Sequence, residues 1–111
     1  LTNWPNPFST QTHFVFTLTG SKVPEYFTIQ IMTISGKIVK EISREELGPL
    51  HIGRNITSYT WDGRDMYGNL LANGVYLYRV ITQLNGESIE HIQTDLDQYF
   101  TKGFGKMVII R

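Results

Sequence analysis

Apolar and polar side chains alternate along most of this chain, and short clusters of glycine, asparagine and proline interrupt the alternation. Within residues 13–19, Phe14, Phe16 and Leu18 fall on one face of an extended chain, because successive side chains of a strand point to opposite faces. The same period of two recurs in residues 26–34. Many short strands between turn residues are typical of an all-β sandwich, which is the architecture that we predict.

The remaining elements follow from the same pattern. Further strands are predicted at residues 37–42, 55–61, 74–84, 87–94 and 106–111. On the strand at 26–34, Phe27, Ile29 and Ile31 are expected to face inward, with Thr28 and Gln30 facing outward. The strand at 37–42 is mixed in character and is expected at a sheet edge.

Two local signals mark how the strands are connected. Ser43 opens a capping-box sequence with Glu46, followed by Gly48, which predicts a single helical turn. Asn85-Gly86 is a strong signal for a two-residue hairpin between the longest strand and its return. Within residues 87–105 we therefore expect a return strand and then a loop.

Composition narrows the class of protein. The chain has 111 residues, 41% of them hydrophobic, which suits one domain over residues 1–111 with its own core. The formal net charge is zero and the basic residues are scattered, which argues against nucleic acid or an anionic membrane surface as a partner. There is no cysteine and no apolar run long enough for a membrane span. Because the sequence starts at Leu1 and shows no signal peptide, we expect a fragment of a longer protein.

Two loops contain potential metal ligands: one has Asp62, Asp65 and Asn69, and the other has a weaker Asp-x-Asp at Asp95 and Asp97, without the glycine and glutamate that a Ca²⁺ loop needs. The oxygens of the first loop could bind Ca²⁺, but the spacing is not that of an EF-hand loop. Asp and Asn commonly accept backbone donors in turns, and Gly63 and Gly68 allow the positive φ that such turns need. We therefore favour turn capping here and predict no metal and no cofactor.

The chain offers little that would support catalysis. His13, His51 and His91 fall on separate predicted segments without metal-ligand spacing, and no motif pairs a nucleophile with a base. Trp61 is expected to fill the core between the sheets, a role we prefer to sugar stacking. The residues thus argue against an enzyme.

Four segments, taken in order, carry a resemblance to a known family. They are residues 4–8 (WPNPF), 34–39 (ISGKIV), 59–79 (YTWDGRDMYGNLLANGVYLYR) and 105–111 (GKMVIIR). With these motifs the chain resembles the C-terminal sorting domain of type IX secretion cargo. That domain is similar to the immunoglobulin-like domain of the flagellar hook-capping protein. The resemblance covers nearly the whole chain.

The resemblance implies an immunoglobulin-like antiparallel β-sandwich of about seven to eight strands. It implies a non-catalytic module at the end of a larger protein, and that larger protein could be an enzyme such as a peptidase or hydrolase. A Gram-negative bacterium would carry that protein through the periplasm and across the outer membrane, to be secreted or held at the cell surface. The implied partners are the upstream domains, the outer-membrane secretion apparatus and a sortase-like peptidase, which in many cargo proteins removes the domain.

The resemblance also implies where recognition occurs. The motif positions are Pro5, Asn6, Pro7, Gly74, Val75, Tyr76, Lys106, Met107, Val108, Ile109, Ile110 and Arg111. Because prolines fix φ and lack a donor, residues 5–7 are expected to be a stiff, extended lead into the first sheet. The strand at 106–111 is expected to offer an exposed edge to a receptor by strand addition. The alternative is an ordinary sheet strand whose charged ends, Lys106 and Arg111, protect it against aggregation.

One departure from the family leaves alternatives open. A short hairpin is usual before the last strand, whereas this chain carries an apparent insertion within residues 88–104. Tyr99, Phe100 and Phe104 in this stretch would suit carbohydrate stacking. The alternatives are an accessory module that binds glycan or protein at the cell surface, and a purely structural domain.

Overall fold

The computed structural model describes residues 2–84, 87–88 and 105–111, with side chains for residues 2–82 and 105–111. The elements are β1 (Thr2–Trp4), β2 (Thr12–Leu18), β3 (Tyr26–Thr33), β4 (Ile38–Ser43), α1 (Arg44–Leu47), β5 (Gly53–Trp61), β6 (Gly74–Leu84), β7 (Glu87–Ser88) and β8 (Gly105–Ile109). One sheet has the order β1-β2-β5 and the other β4-β3-β6, with β7 and β8 both pairing with β6. All these strand pairs are antiparallel. The described residues therefore form the predicted immunoglobulin-like β-sandwich.

The core lies between the two sheets and follows the alternation of the sequence. On β2, Phe14, Phe16 and Leu18 are buried as predicted. The ring of Phe16 stacks on that of Phe27 across the sandwich, with ring centroids 4.9 Å apart. Fully burying each such side chain stabilises the fold by about 1.5–3 kcal/mol. Trp61 is fully buried, which confirms its expected place in the core.

The central strand β3 is buried on both faces. Phe27, Ile29 and Ile31 point into the core as predicted, but Thr28 and Gln30 are also buried, at 5% and 8% exposure. Both belong to the outer face that the alternation assigns to them, but they are shielded from solvent, which the alternation did not predict. The Gln30 amide is satisfied there by its neighbours: Arg79 Nε donates to its Oε1 at 2.9 Å, and its Nε2 donates to Glu41 at 3.4 Å.

The helical connection that follows β4 forms as the local sequence predicts. The Ser43 side chain caps α1 by accepting from the Glu46 backbone N–H, and the chain leaves the helix through Gly48 with φ of 93°. The strand before the helix, β4, lies at the edge of its sheet, as expected.

The longest strand, β6, has the predicted bounds and is followed by the predicted return. Glu87 and Ser88 pair with Leu84 and Gln83. The rest of the expected return strand, residues 89–94, lies outside the described residues. So do Tyr99, Phe100 and Phe104 of the insertion.

Residues 5–7 differ most from expectation. The chain has already paired with β2 as the short strand β1 before it reaches Pro5. Residues 5–7 then bend, and Phe8 forms a parallel bridge with Ile109 in the other sheet. The predicted extended lead into the first sheet is therefore wrong. Because proline cannot donate to a ladder, this segment ends β1 and carries the chain from one sheet to the other.

Candidate functional site

The predicted recognition segments, although distant in sequence, meet at the last strand. β8 pairs with the start of β6, which places Gly74, Val75 and Tyr76 opposite Ile109, Val108 and Met107. This pairing occupies one edge of β8. Residues 6 and 8 lie along its other edge. The structure thus brings all three predicted recognition segments together around a single strand.

The outer edge of β8 is closed by Asn6 and Phe8. The Asn6 side-chain amide donates to Lys106 O at 3.1 Å and accepts from Val108 N–H at 3.0 Å, in the manner of a peptide group in a neighbouring strand. Phe8 continues the pairing, since its N–H donates to Val108 O at 3.0 Å and its carbonyl accepts from Ile110 N–H at 2.9 Å. The backbone groups that strand addition would need are therefore occupied from Lys106 O to Ile110 N.

The last residue is held by both its backbone and its side chain. Arg111 N–H donates to Asn73 Oδ1 at 3.0 Å, and Asn73 Nδ2 donates back to Arg111 O at 3.4 Å. The Arg111 guanidinium donates to three backbone carbonyls: Gly63 O at 3.0 Å, Asp62 O at 3.3 Å, and Leu71 O. Arg111, one of the predicted recognition residues, is thus bonded within the domain.

The predicted recognition residues divide into inward and outward groups. Met107 and Ile109 are fully buried, and Tyr76 is 8% exposed with its hydroxyl donating to Ala72 O at 2.8 Å. These three anchor the strand in the core. Lys106 and Ile110 alternate with them and are exposed. Only the outward group can meet a partner.

The outward residues of β8 and their neighbours form an apolar surface, which we call the terminal-strand face. It consists of Ile34, Val75, Val108 and Ile110, with Lys106 at its border. Val75 lies opposite Val108, and because Thr33 pairs with Tyr76, the register brings Ile34 to the level of Val75. Ile34, Val75 and Ile110 are 73%, 41% and 54% exposed. Ile34 was not among the predicted recognition residues, although the motif at 34–39 contains it.

A second exposed surface lies on the outside of the other sheet, and we call it the three-stranded face. It consists of Trp4, Val15 and Ile56, with His13 and Arg54 beside them, and these side chains line one shallow pocket. Trp4 is 70% exposed and Ile56 60%. Sequence reasoning missed Trp4, because the strand that displays it was not predicted.

The loop at residues 62–71 uses its acidic oxygens for turn capping, as we favoured. Asp65 Oδ1 accepts from the backbone N–H groups of Tyr67 and Asn69, both at 2.9 Å. The Asn69 N–H is the largest cause of a lowered Asp65 pKa, because these bonds favour the charged carboxylate. Asp62 Oδ1 accepts from Arg64 N–H at 3.2 Å, and its Oδ2 lies 3.4 Å from Arg64 Nε.

The titratable groups of the described residues do not gather into a metal site. Among them, no cluster of three or more His, Asp or Glu side chains is placed to hold a metal ion. His13 Nδ1 lies 2.8 Å from Thr57 O, and His91 lies outside the described residues. Burial, with help from the charges of Glu46 and Asp62, raises the pKa of Tyr59 to about 12, so this phenol remains protonated near neutral pH.

Neither of two sequence comparisons finds a relative of this chain. No protein-family model matches this chain, and no curated protein is detectably similar to it in sequence. Among the described residues, no helix is long and apolar enough to cross a membrane.

Proposed function

We propose that this chain is a non-catalytic C-terminal sorting and anchoring module, which directs a larger protein across the outer membrane by type IX secretion. The proposal starts from the resemblance in four sequence segments. The observation that carries it is the convergence of the predicted recognition segments on β8, where they bond both of its edges. A strand in an ordinary sandwich is held by backbone hydrogen bonds to its neighbouring strands. β8 is also held by side-chain bonds, which suggests that its position matters for function.

The partner reads the terminal-strand face and not the edge of β8. The edge is occupied by Asn6 and Phe8, whereas Ile34, Val75 and Ile110 are exposed in one apolar group. Contiguous exposed apolar patches commonly mark protein–protein contacts. Lys106 lies at the border, and the exposed Lys37 follows Ile34 in the same turn. The partner that fits is therefore a protein surface of the outer-membrane apparatus with apolar side chains and carboxylates at its rim.

The folded module would act in the periplasm, attached to its upstream domains. The apparatus would bind the terminal-strand face and move the cargo to the outside. There a sortase-like peptidase would remove the module or the module would remain as the surface anchor. The module itself contributes only binding in this scheme.

The test is a periplasm-targeted fluorescent protein fused to residues 1–111, produced in a host with the type IX apparatus. We expect fluorescence at the cell surface or in the medium, and its loss when the apparatus is deleted. A matched fusion without residues 106–111 should remain in the periplasm. Retention of the full fusion there, with the module shown to be folded by protease resistance, would contradict the proposal.

The three-stranded face favours a second candidate, an accessory module that binds glycan at the cell surface. An exposed Trp on a flat sheet face offers a ring for sugar stacking, and Arg54 and His13 beside it offer hydrogen-bonding groups. A glycan array probed with the wild-type chain and with Trp4→Ala tests it. Saturable binding that the substitution removes would support this candidate. If binding and secretion both fail, a purely structural domain is the remaining alternative.

A further inference from the structure

The loop that follows Trp61 presents three backbone carbonyl groups to one guanidinium. The oxygens belong to Asp62, Gly63 and Leu71, and the guanidinium belongs to Arg111. No carboxylate takes part in these contacts. A planar group with five N–H donors suits several carbonyls spread over a loop, whereas a lysine ammonium concentrates its donors at one point.

The loop is rigid enough to be a preformed acceptor. Its two sides are joined by Leu71 N–H donating to Gly63 O at 2.9 Å and by Asp65 N–H donating to Asn69 O at 2.8 Å. The fully buried Trp61 fixes it to the core through Nε1–H, which donates to Arg64 O at 3.0 Å. The carbonyls therefore keep their positions without Arg111.

Gly63 provides the space that the guanidinium occupies. A Cβ built on Gly63 would lie 2.3 Å from Arg111 Nη2, and the residue has φ of +79°. Gly68 in the same loop has φ of +87° but nothing within 4 Å of such a Cβ. Positive φ favours glycine at both positions. Only at Gly63 would a side chain also collide with the Arg111 guanidinium.

We propose that the carbonyls of Asp62, Gly63 and Leu71 form a guanidinium-binding site whose occupant is Arg111, and that this contact latches the end of β8. Arg111 is then a positioning residue. It fixes the adjacent Ile110 on the terminal-strand face, next to the bond from Ile110 N–H to Phe8 O. The consequence for secretion rests on the proposed function, but the latch itself does not.

The first test measures amide hydrogen exchange at Ile110 in the whole chain. We expect Arg111→Ala and Arg111→Lys each to speed this exchange by about tenfold, the effect of weakening the end of the strand by about 1.4 kcal/mol. Lys106→Ala removes a positive charge from the exposed side chain at the other end of β8 and should leave the rate unchanged. Exchange at the wild-type rate in Arg111→Lys would overturn the latch.

The second test keeps Arg111 and blocks its seat. Gly63→Ala should speed Ile110 exchange well beyond Gly68→Ala, since both changes strain the loop but only the first meets the guanidinium. Ethylguanidinium added to Arg111→Ala should slow the exchange again, and ethylammonium at the same concentration should not. Equal effects of the two glycine variants, or of the two cations, would overturn the proposal.

Secretion of the Arg111→Lys fusion separates the latch from the proposed function. Faster exchange together with reduced surface delivery supports both. Faster exchange with normal surface delivery supports the latch and counts against recognition through Ile110.

Discussion

The two exposed faces of the sandwich are similar in apolar character but differ in how they are built. The three-stranded face carries Trp4 and Ile56 on strands joined by backbone pairing, with one register shift between His13 and Val15. The terminal-strand face draws its residues from separate parts of the sequence and depends on side-chain bonds. The side chains of Asn6 and Asn73 bond to the backbone of residues 106–111, and the Arg111 guanidinium donates to the carbonyl of Gly63. Exposure alone would not distinguish the two faces. The fixing of one strand at both edges and at its end does, and it is the reason why we propose the terminal-strand face as the functional one.

The largest expected difference between the faces is in secretion. Val75→Asp combined with Ile110→Asp places two charges where the partner's apolar side chains would bind, and each such charge costs about 1–3 kcal/mol when it is desolvated without a partner. We expect surface delivery of the fusion to fall by about a hundredfold. Trp4→Asp combined with Ile56→Asp is the matched pair on the three-stranded face and should deliver normally. Equal loss from both pairs would remove the distinction between the faces.

A smaller effect is expected on the stability of the terminal-strand face. Asn6→Ala removes one acceptor and one donor from the outer edge of β8 and should lower the free energy of unfolding by about 1–3 kcal/mol. Gln11→Ala is the control, because Gln11 accepts only one exposed bond, from Thr60 at 3.3 Å, and its change should stay within about 0.5 kcal/mol. Urea unfolding curves compare the two variants. A shift for Asn6→Ala no larger than the control would show that this edge is not held by Asn6.

Unfolding at alkaline pH tests the hydrogen bond between Tyr78 and Asn3, which joins the two sheets. Tyr78 is 1% exposed, its hydroxyl donates to Asn3 Oδ1 at 3.1 Å, and burial raises its pKa in the folded state. Below about pH 10, where the phenol is neutral in both states, its contribution to stability is complete. As the pH rises further the unfolded chain ionises first, so this contribution should fall by up to about 1.4 kcal/mol per pH unit. Tyr78→Phe should show a weaker decline between pH 10 and 11 in the same unfolding assay. An unchanged decline would assign the alkaline sensitivity to other groups.

The smallest effect is expected at the most exposed residue of the three-stranded face. Trp4 is 70% exposed, so Trp4→Ala should change the free energy of unfolding by no more than about 0.5 kcal/mol and leave secretion unchanged. Thermal melts and the fusion assay check both. Lost secretion in a variant of normal stability would move the site to this face and contradict our assignment.

Alternation in the sequence was sufficient to predict the major strands. β2, β3, β5 and β6 lie within two residues of their predicted bounds. The inward positions of β2, β3 and β6 are mostly large apolar side chains, whereas β5 buries Asn55 and Thr57 together with Trp61. β1 could not be predicted in this way. Its only inward side chain is the polar Asn3, which is buried and bonded to Thr12 Oγ1 at 3.1 Å and to the Tyr78 hydroxyl. A three-residue strand with a polar inward residue leaves no hydrophobic pattern.

The candidate site was predictable in its parts but not in its arrangement. The motif resemblance named Asn6, Val75 and Arg111, but the roles of these residues depend on contacts between distant positions. Asn6 bonds Lys106, which is 100 residues away, and the Arg111 guanidinium meets the carbonyl of Gly63, which is 48 residues away. Local propensity contains no information on such pairs. The same contacts explain why a basic residue expected to face a partner is instead used within the domain.

Site-specific photocrosslinking in living cells tests the central claim most directly. A photoreactive phenylalanine analogue would replace Val75 in one fusion and Ile56, on the three-stranded face, in another, and cells with the type IX apparatus would be irradiated during export. Our account predicts a covalent adduct with an outer-membrane component of the apparatus from position 75 and none from position 56. No adduct from position 75 in an exported fusion, or an adduct from position 56 alone, would contradict it.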